Sequence, residues 1–168
     1  IAMMTGLSDV VAELRGGGLI IRMKPGGPGI CELDTIPVRN SVSIIPCVIR
    51  NGPTTPQILK ERYHEIRRIG EETFKRFIKE PTFEKFLEFS NEFSKALFMD
   101  KNIETKFDKL LHSYIKSGEI LTYFVKKGTL VVIASGKPKN DLLDVLRNNC
   151  IRVIGVLRIS SEGTVITV

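Results

Sequence analysis

The hydrophobic period changes twice along this chain, and that switch limits the folds open to it more than any single motif. Residues 19–24, 30–38 and 42–49 carry short β-rich runs bounded by glycine and proline. From residue 55 to about residue 117 the apolar positions recur at helical spacing instead. Leu59, Tyr63, Ile66, Ile69, Phe74 and Phe77 mark one stripe, with Pro56 suited to a first helical position and Gly70 a candidate break between two helices. Pro81 restarts the pattern through Phe83, Phe86, Leu87, Phe93 and Leu97, and Ile103, Phe107, Leu110, Leu111, Tyr114 and Ile115 make the cleanest stripe. Strand chemistry returns at 128–134, a helix follows at 140–149, and strands at 150–159 and 164–168 flank a turn at 160–163. Strands, a helical block, then β-α-β-β predict an α+β fold with helices on one face of a mostly antiparallel sheet. Pro46 has no N–H to donate, so its strand is expected at an edge or beside a bulge. Ahead of all this, residues 5–14 read as a turn feeding a short helix, with Ser8 as N-cap and Asp9 in the first turn, stopped by Gly16-Gly17-Gly18.

The composition narrows the class. A chain of 168 residues that is 42% hydrophobic and 26% charged is neither disordered, collagen-like nor a disulfide scaffold. It can bury a core as one domain, or one domain with a helical appendage. No apolar run approaches the roughly 18 residues that span a bilayer, and no signal-peptide pattern opens the chain. Cys31, Cys47 and Cys150 are widely spaced with no CxxC pair, which predicts reduced, buried thiols in a cytoplasmic protein and no zinc site. Lys and Arg number 25 against 19 Asp and Glu, and 25 − 19 gives a net charge of +6. Such mild basicity favours an anionic partner: a phosphate, a carboxylate or nucleic acid.

Most candidate chemistry has an ordinary explanation. Gly16-Gly17-Gly18 precedes a strand and lacks the Lys-Ser/Thr of a phosphate loop, and Pro25-Gly26-Gly27-Pro28-Gly29 reads as a connection between strands. His64 and His112 lie on expected helices without a metal-ligand partner at i+4, so surface or half-buried histidine is the better reading. Arg62, Arg67 and Arg68 alternate with Glu61, Glu65, Glu71 and Glu72, the mark of a solvated helix face. Lys126, Lys127, Lys137 and Lys139 are less balanced, but no stacking aromatics accompany them, which makes nucleic acid a minor alternative. Asp9, at a helix start, is explained by capping alone.

A family resemblance changes the weight of that carboxylate. Thr5-Gly6-Leu7-Ser8-Asp9-Val10-Val11, then Gly17-Gly18, Met23-Lys24-Pro25-Gly26, Gly52-Pro53-Thr54-Thr55-Pro56-Gln57-Ile58-Leu59, Arg67-Arg68-Ile69-Gly70 and Glu80-Pro81-Thr82-Phe83-Glu84-Lys85-Phe86 occur in one collinear order. That order resembles the archaeal pantoate kinases of the GHMP small-molecule kinase superfamily, over most of residues 5–135. The resemblance implies a GHMP-kinase C-terminal-domain-like fold with ferredoxin-like elements, and ATP-dependent phosphorylation of pantoate, or a similar small hydroxy acid, to 4-phosphopantoate on the route to coenzyme A. It makes Asp9 the catalytic base or positioning group at the acceptor hydroxyl, Thr5 and Gly6 the substrate-side loop, and Gly128 a cofactor contact. The implied cofactors are ATP and Mg²⁺.

The same comparison sets the expected organisation. Residues 1–50 correspond to the end of a central segment carrying the Asp loop and strands, and 51–168 to the helical block and C-terminal α+β domain. The family's nucleotide-binding loop belongs to an N-terminal domain absent from this chain, whose first residue is Ile1. In the third glycine motif only Gly128 and the following strand align, because Tyr123 and Phe124 stand where the family has small residues. A C-terminal portion that binds neither ATP nor Mg²⁺ alone, and is inactive alone, is therefore expected. The N-terminal nucleotide domain is its expected partner, a membrane is not, and a homodimer is allowed. The alternative is a non-catalytic ferredoxin-like module that binds a ligand or a partner.

Overall fold

The computed structural model describes residues 16–24, 30–38 and 42–159. The expected helix at 8–14, the Pro-Gly segment at 25–29, the turn at 160–163 and the strand at 164–168 lie outside the described residues. The chain divides into two compact units, residues 1–40 with 159–168, and Ser41–Arg158.

In the first unit β1 (Leu19–Lys24) and β2 (Glu32–Ile36) pair antiparallel, with Leu19 opposite Ile36 and Arg22 opposite Leu33. Gly18 leads into β1 at φ +128°, and a Cβ there would lie 2.6 Å from the Ile36 carbonyl oxygen. Only glycine fits that approach.

The second unit runs β3 (Val42–Val48), α1 (Thr55–Phe77), α2 (Phe83–Leu97), α3 (Lys101–Lys116), β4 (Ile120–Lys126), β5 (Thr129–Ser135), α4 (Asn140–Asn149), β6 (Arg152–Val153) and β7 (Leu157–Arg158). Its sheet has the order β4-β5-β3-β6, with β7 also on β3, and every pairing is antiparallel. Ile45, Leu130 and Val132 of the sheet share one buried core with Phe107 and Leu111 of α3 and Leu142 and Leu146 of α4. This is the α+β architecture expected from the period switch. Among the described residues no helix is long and apolar enough to cross a membrane.

Local chemistry accounts for the helix starts. Thr54 caps α1 in a capping-box arrangement, its backbone N–H donating to Gln57 Oε1 at 2.8 Å, and Pro56 occupies the first turn. Thr82 Oγ1 accepts from the Lys85 N–H at 3.2 Å to start α2. Asp100 accepts from the N–H groups of Asn102 and Ile103 at 3.1 and 2.9 Å to start α3.

Four expectations need correction. Gly70 does not divide α1, which runs through it; the irregular residue is Arg62, at φ −130° and ψ 22°. At Gly70 an added Cβ would make only ordinary contact, 3.7 Å from Phe93 Cε2. The strand expected over 150–159 is broken into β6 and β7. Between the pairs Ile44–Leu157 and Cys47–Val153, β3 advances three residues and its partner four, so the partner carries a bulge opposite Pro46. The proline thus sits beside a bulge, as its missing N–H requires, though β3 itself is flanked on both sides. Next, β4 is not among the elements expected from the sequence. Finally, of the three thiols only Cys47 is buried; Cys31 and Cys150 are half-buried, and all are free.

The edge strand β4 is covered by α2. Ser94 Oγ donates to the Val125 carbonyl at 2.8 Å and accepts from the Val125 N–H at 2.6 Å, while Asn91 Nδ2 donates to the Tyr123 carbonyl at 2.7 Å. Side chains thereby satisfy backbone groups that an edge would otherwise expose. Tyr123 points into the core at 2% exposure and donates its hydroxyl to Asp108. Burial, reinforced by that carboxylate, pushes its pKa well up.

Candidate functional site

Gly128 is the one sequence-derived site residue within the described structure; Asp9, Thr5 and Gly6 lie outside it. It closes the β4–β5 hairpin, where Lys127 and Gly128 take φ of +50° and +79° between the paired residues Lys126 and Thr129. Positive φ at both central positions is the demand of a tight hairpin turn, met at the first position by a lysine where asparagine or aspartate is commoner. A Cβ on Gly128 would lie 2.3 Å from the Arg50 carbonyl oxygen, and one on Gly52 1.9 Å from that of Lys127. The Gly128 carbonyl accepts from the N–H groups of Ile49 and Arg50 at 2.9 and 3.3 Å. Two glycines thus let the hairpin and the segment after β3 touch backbone to backbone.

Beside this junction lies a cleft of about 380 Å³, lined by the 50–53 segment, the first turns of α1, the end of α2 and the Lys127-Gly128 turn. Its size is in the range of small-ligand sites. Three cations border it. The Lys127 ammonium donates to the neutral Thr55 hydroxyl at 2.5 Å. The Arg50 guanidinium meets the Asp100 carboxylate at 3.2 Å, with both side chains half exposed. Arg62 donates to the Leu97 carbonyl and, at 2.7 Å, to Glu65, whose carboxylate holds the guanidinium pKa above its ordinary value. The bond from Arg62 to α2 coincides with the kink in α1. On the acidic side, N–H donation from Ile103, with the Arg50 charge, keeps Asp100 ionised below the usual range. Glu61 also lines the cleft, so its charges are mixed; Arg50 and Arg62 are engaged by carboxylates, whereas Lys127 is bonded to a neutral hydroxyl.

The other residues weighed from sequence stay ordinary. His64 and His112 are exposed on their helices. Arg67–Glu71 and Arg68–Glu72 form i,i+4 pairs at 2.8 and 3.3 Å, and Lys139 pairs with Glu119 at 3.0 Å. Among the described residues no grouping of His, Cys, Asp and Glu could hold a metal ion.

The fold is of a kind known from solved structures. One, described as "Phosphotransferase related to CoA biosynthesis pathway", matches at a TM-score of 0.63 with 17% identity, over 92% of this chain and 49% of that one. A second, described as "MDDEF in complex with MVAPP, AMPPCP and Magnesium", matches at 0.57 with 12% identity, over 92% of this chain and 56% of that one. The chain spans about half the length of each, and at these identities the likeness is one of fold. No family model and no curated protein matches the sequence.

Proposed function

We propose that the chain is the C-terminal part of an ATP-dependent small-molecule kinase of the GHMP type. Its reaction on this reading is phosphoryl transfer from ATP to pantoate, giving 4-phosphopantoate and ADP on the way to coenzyme A. The observation that carries it is the fold shared, over 92% of the chain, with a phosphotransferase related to that pathway. The collinear motifs around Asp9, Gly52 and Pro81 support it, and Lys127 at the edge of the cleft suits an anionic reactant.

On this reading Asp9 lies by the acceptor hydroxyl, with Thr5 and Gly6 shaping its loop. An alcohol is far too weak an acid for a carboxylate to ionise beforehand, so the proton moves late. Asp9 then acts chiefly by holding the hydroxyl in line with the phosphorus. The described residues offer no fitting set for Mg²⁺ and no glycine loop for a triphosphate, so both are assigned to a separate nucleotide-binding domain. Lys127 supplies charge for a reactant's anionic group, and Gly128 holds the turn that presents it.

The test is phosphate transfer to pantoate by the full-length protein, read as ADP release. Asp9→Ala should lower turnover by about 10²–10⁴-fold, the usual worth of a positioned acid–base group, while nucleotide binding survives. Unchanged turnover removes Asp9 from the mechanism, and no transfer by the unaltered protein overturns the reading. The non-catalytic module keeps one observation in its favour: backbone packing against residues 49–52 already accounts for glycine at position 128. It predicts small-anion binding at the cleft without turnover.

A further inference from the structure

The fold brings two of the three thiols to one core cluster although they stand far apart in sequence. Cys47, on β3, is fully buried, and its S–H also reaches the Ile45 carbonyl oxygen at 3.7 Å. Cys150 caps the C-terminal end of α4, its N–H donating to the Leu146 carbonyl at 3.0 Å. The next residue, Ile151, donates to the Val48 carbonyl at 2.7 Å, and Cys47 is in register with Val153. This return of the chain along β3 packs Cys150 against the core cluster containing Cys47.

The two sulfurs are not equivalent. Cys47 has no exposed surface, whereas Cys150 is half-buried. Cys150 also lies near the ammonium of Lys106, which donates to the adjacent Asn149 carbonyl at 3.0 Å. The carbonyl end of α4 opposes an anion at Cys150. The neighbouring Cys47 thiol and the charge of Lys106, working against burial, draw the Cys150 pKa below its ordinary value, while Cys150 and burial push that of Cys47 up. Of the two, the half-buried thiol is thus the one disposed to ionise, and the one enclosed in the core stays protonated.

We propose that Cys150 and Cys47 form a peroxide-reactive dithiol, in which Cys150 attacks and Cys47 resolves, closing a disulfide that ties the end of α4 to β3. The Cys150 thiolate attacks one peroxide oxygen, so that an S–O bond forms, the O–O bond breaks, and the departing hydroxide or alkoxide takes a proton. The Cys47 sulfur then attacks the Cys150 sulfenic acid. The S–S bond forms, the S–O bond breaks, and the Cys47 proton leaves with the hydroxide as water. Two electrons pass from the sulfurs to one peroxide.

One molar equivalent of hydrogen peroxide on the reduced full chain tests this. Titratable thiols should fall from three to one, with the loss of two hydrogens in intact mass. A non-reducing peptide map should join the Cys47 and Cys150 peptides within one chain and leave Cys31 free to alkylate. Cys150→Ala should keep both remaining thiols at the same dose. Cys47→Ala should accumulate a Cys150 sulfenic acid that a cyclic 1,3-diketone traps. Should that variant fail to fold, the map of the unaltered chain decides alone. Oxidation of Cys31 ahead of Cys150, a Cys150 sulfinic acid without the Cys47 link, or a disulfide between chains would overturn the proposal.

Discussion

Ser94 commits its single hydroxyl to both backbone groups of Val125, at 2% exposure. Removing it leaves a buried N–H and a buried carbonyl at the edge of the sheet where water cannot replace the lost partner. Leaving such groups unsatisfied costs about 1–3 kcal/mol, more than the net worth of an ordinary hydrogen bond. Ser94→Ala should therefore lower the urea midpoint by that amount at an unchanged m-value, whereas Ser94→Thr, if the methyl is accommodated, should recover part of it. A midpoint indistinguishable from the original would mean that α2 does not close the edge of β4. Nothing in the sequence marked Ser94, because its partner stands 31 positions away and serine on a helix usually faces water.

At the scale of elements, the helices were legible because their apolar stripes and caps are local. Even the limits of α4 follow from the run Asn140 to Asn149. β4 was not legible for a physical reason: its pairing with β5 shifts between Ile120 and Thr122, so Thr122 and Tyr123 are both buried and strict alternation is lost. The same kind of irregularity, opposite Pro46, split the last strand. Caps also make α3 sensitive to acid. Asp100 accepts from the first N–H groups of α3 and pairs with Arg50, so its folded pKa lies below that of the unfolded chain. Its stabilisation is complete above the ordinary aspartate value of about 3.9 and is lost as pH falls through the depressed folded value. Asp100→Asn should remove this part of the acid dependence while preserving a competent N-cap. Thermal melts of the two proteins from neutral pH downward should converge; a constant gap would assign the pH dependence elsewhere.

For the molecule as a whole, the candidate site was far less legible than the fold. Asp9 gained a role only through resemblance, and the cleft had no local signature, since Arg50 and Asp100 are 50 positions apart and Lys127 and Thr55 72. Tertiary packing alone assembles such a site, and the core of the second unit does the assembling, with α3 and α4 set against β3, β4 and β5. That core can be tested with two leucines of equal size. Leu111 on α3 is 0% exposed at its centre, and Leu121 on β4 is 39% exposed. Truncating a fully buried leucine costs about 2–5 kcal/mol through lost transfer energy and the cavity left behind. An exposed one costs at most about 0.5 kcal/mol. Leu111→Ala should thus shift the urea midpoint strongly and Leu121→Ala hardly at all, and because the cleft is framed by elements seated on this core, only the former should weaken anion binding there. Equal costs would mean that the sheet presents its other face to the helices, and the cleft at Lys127 would go with the fold that supports it.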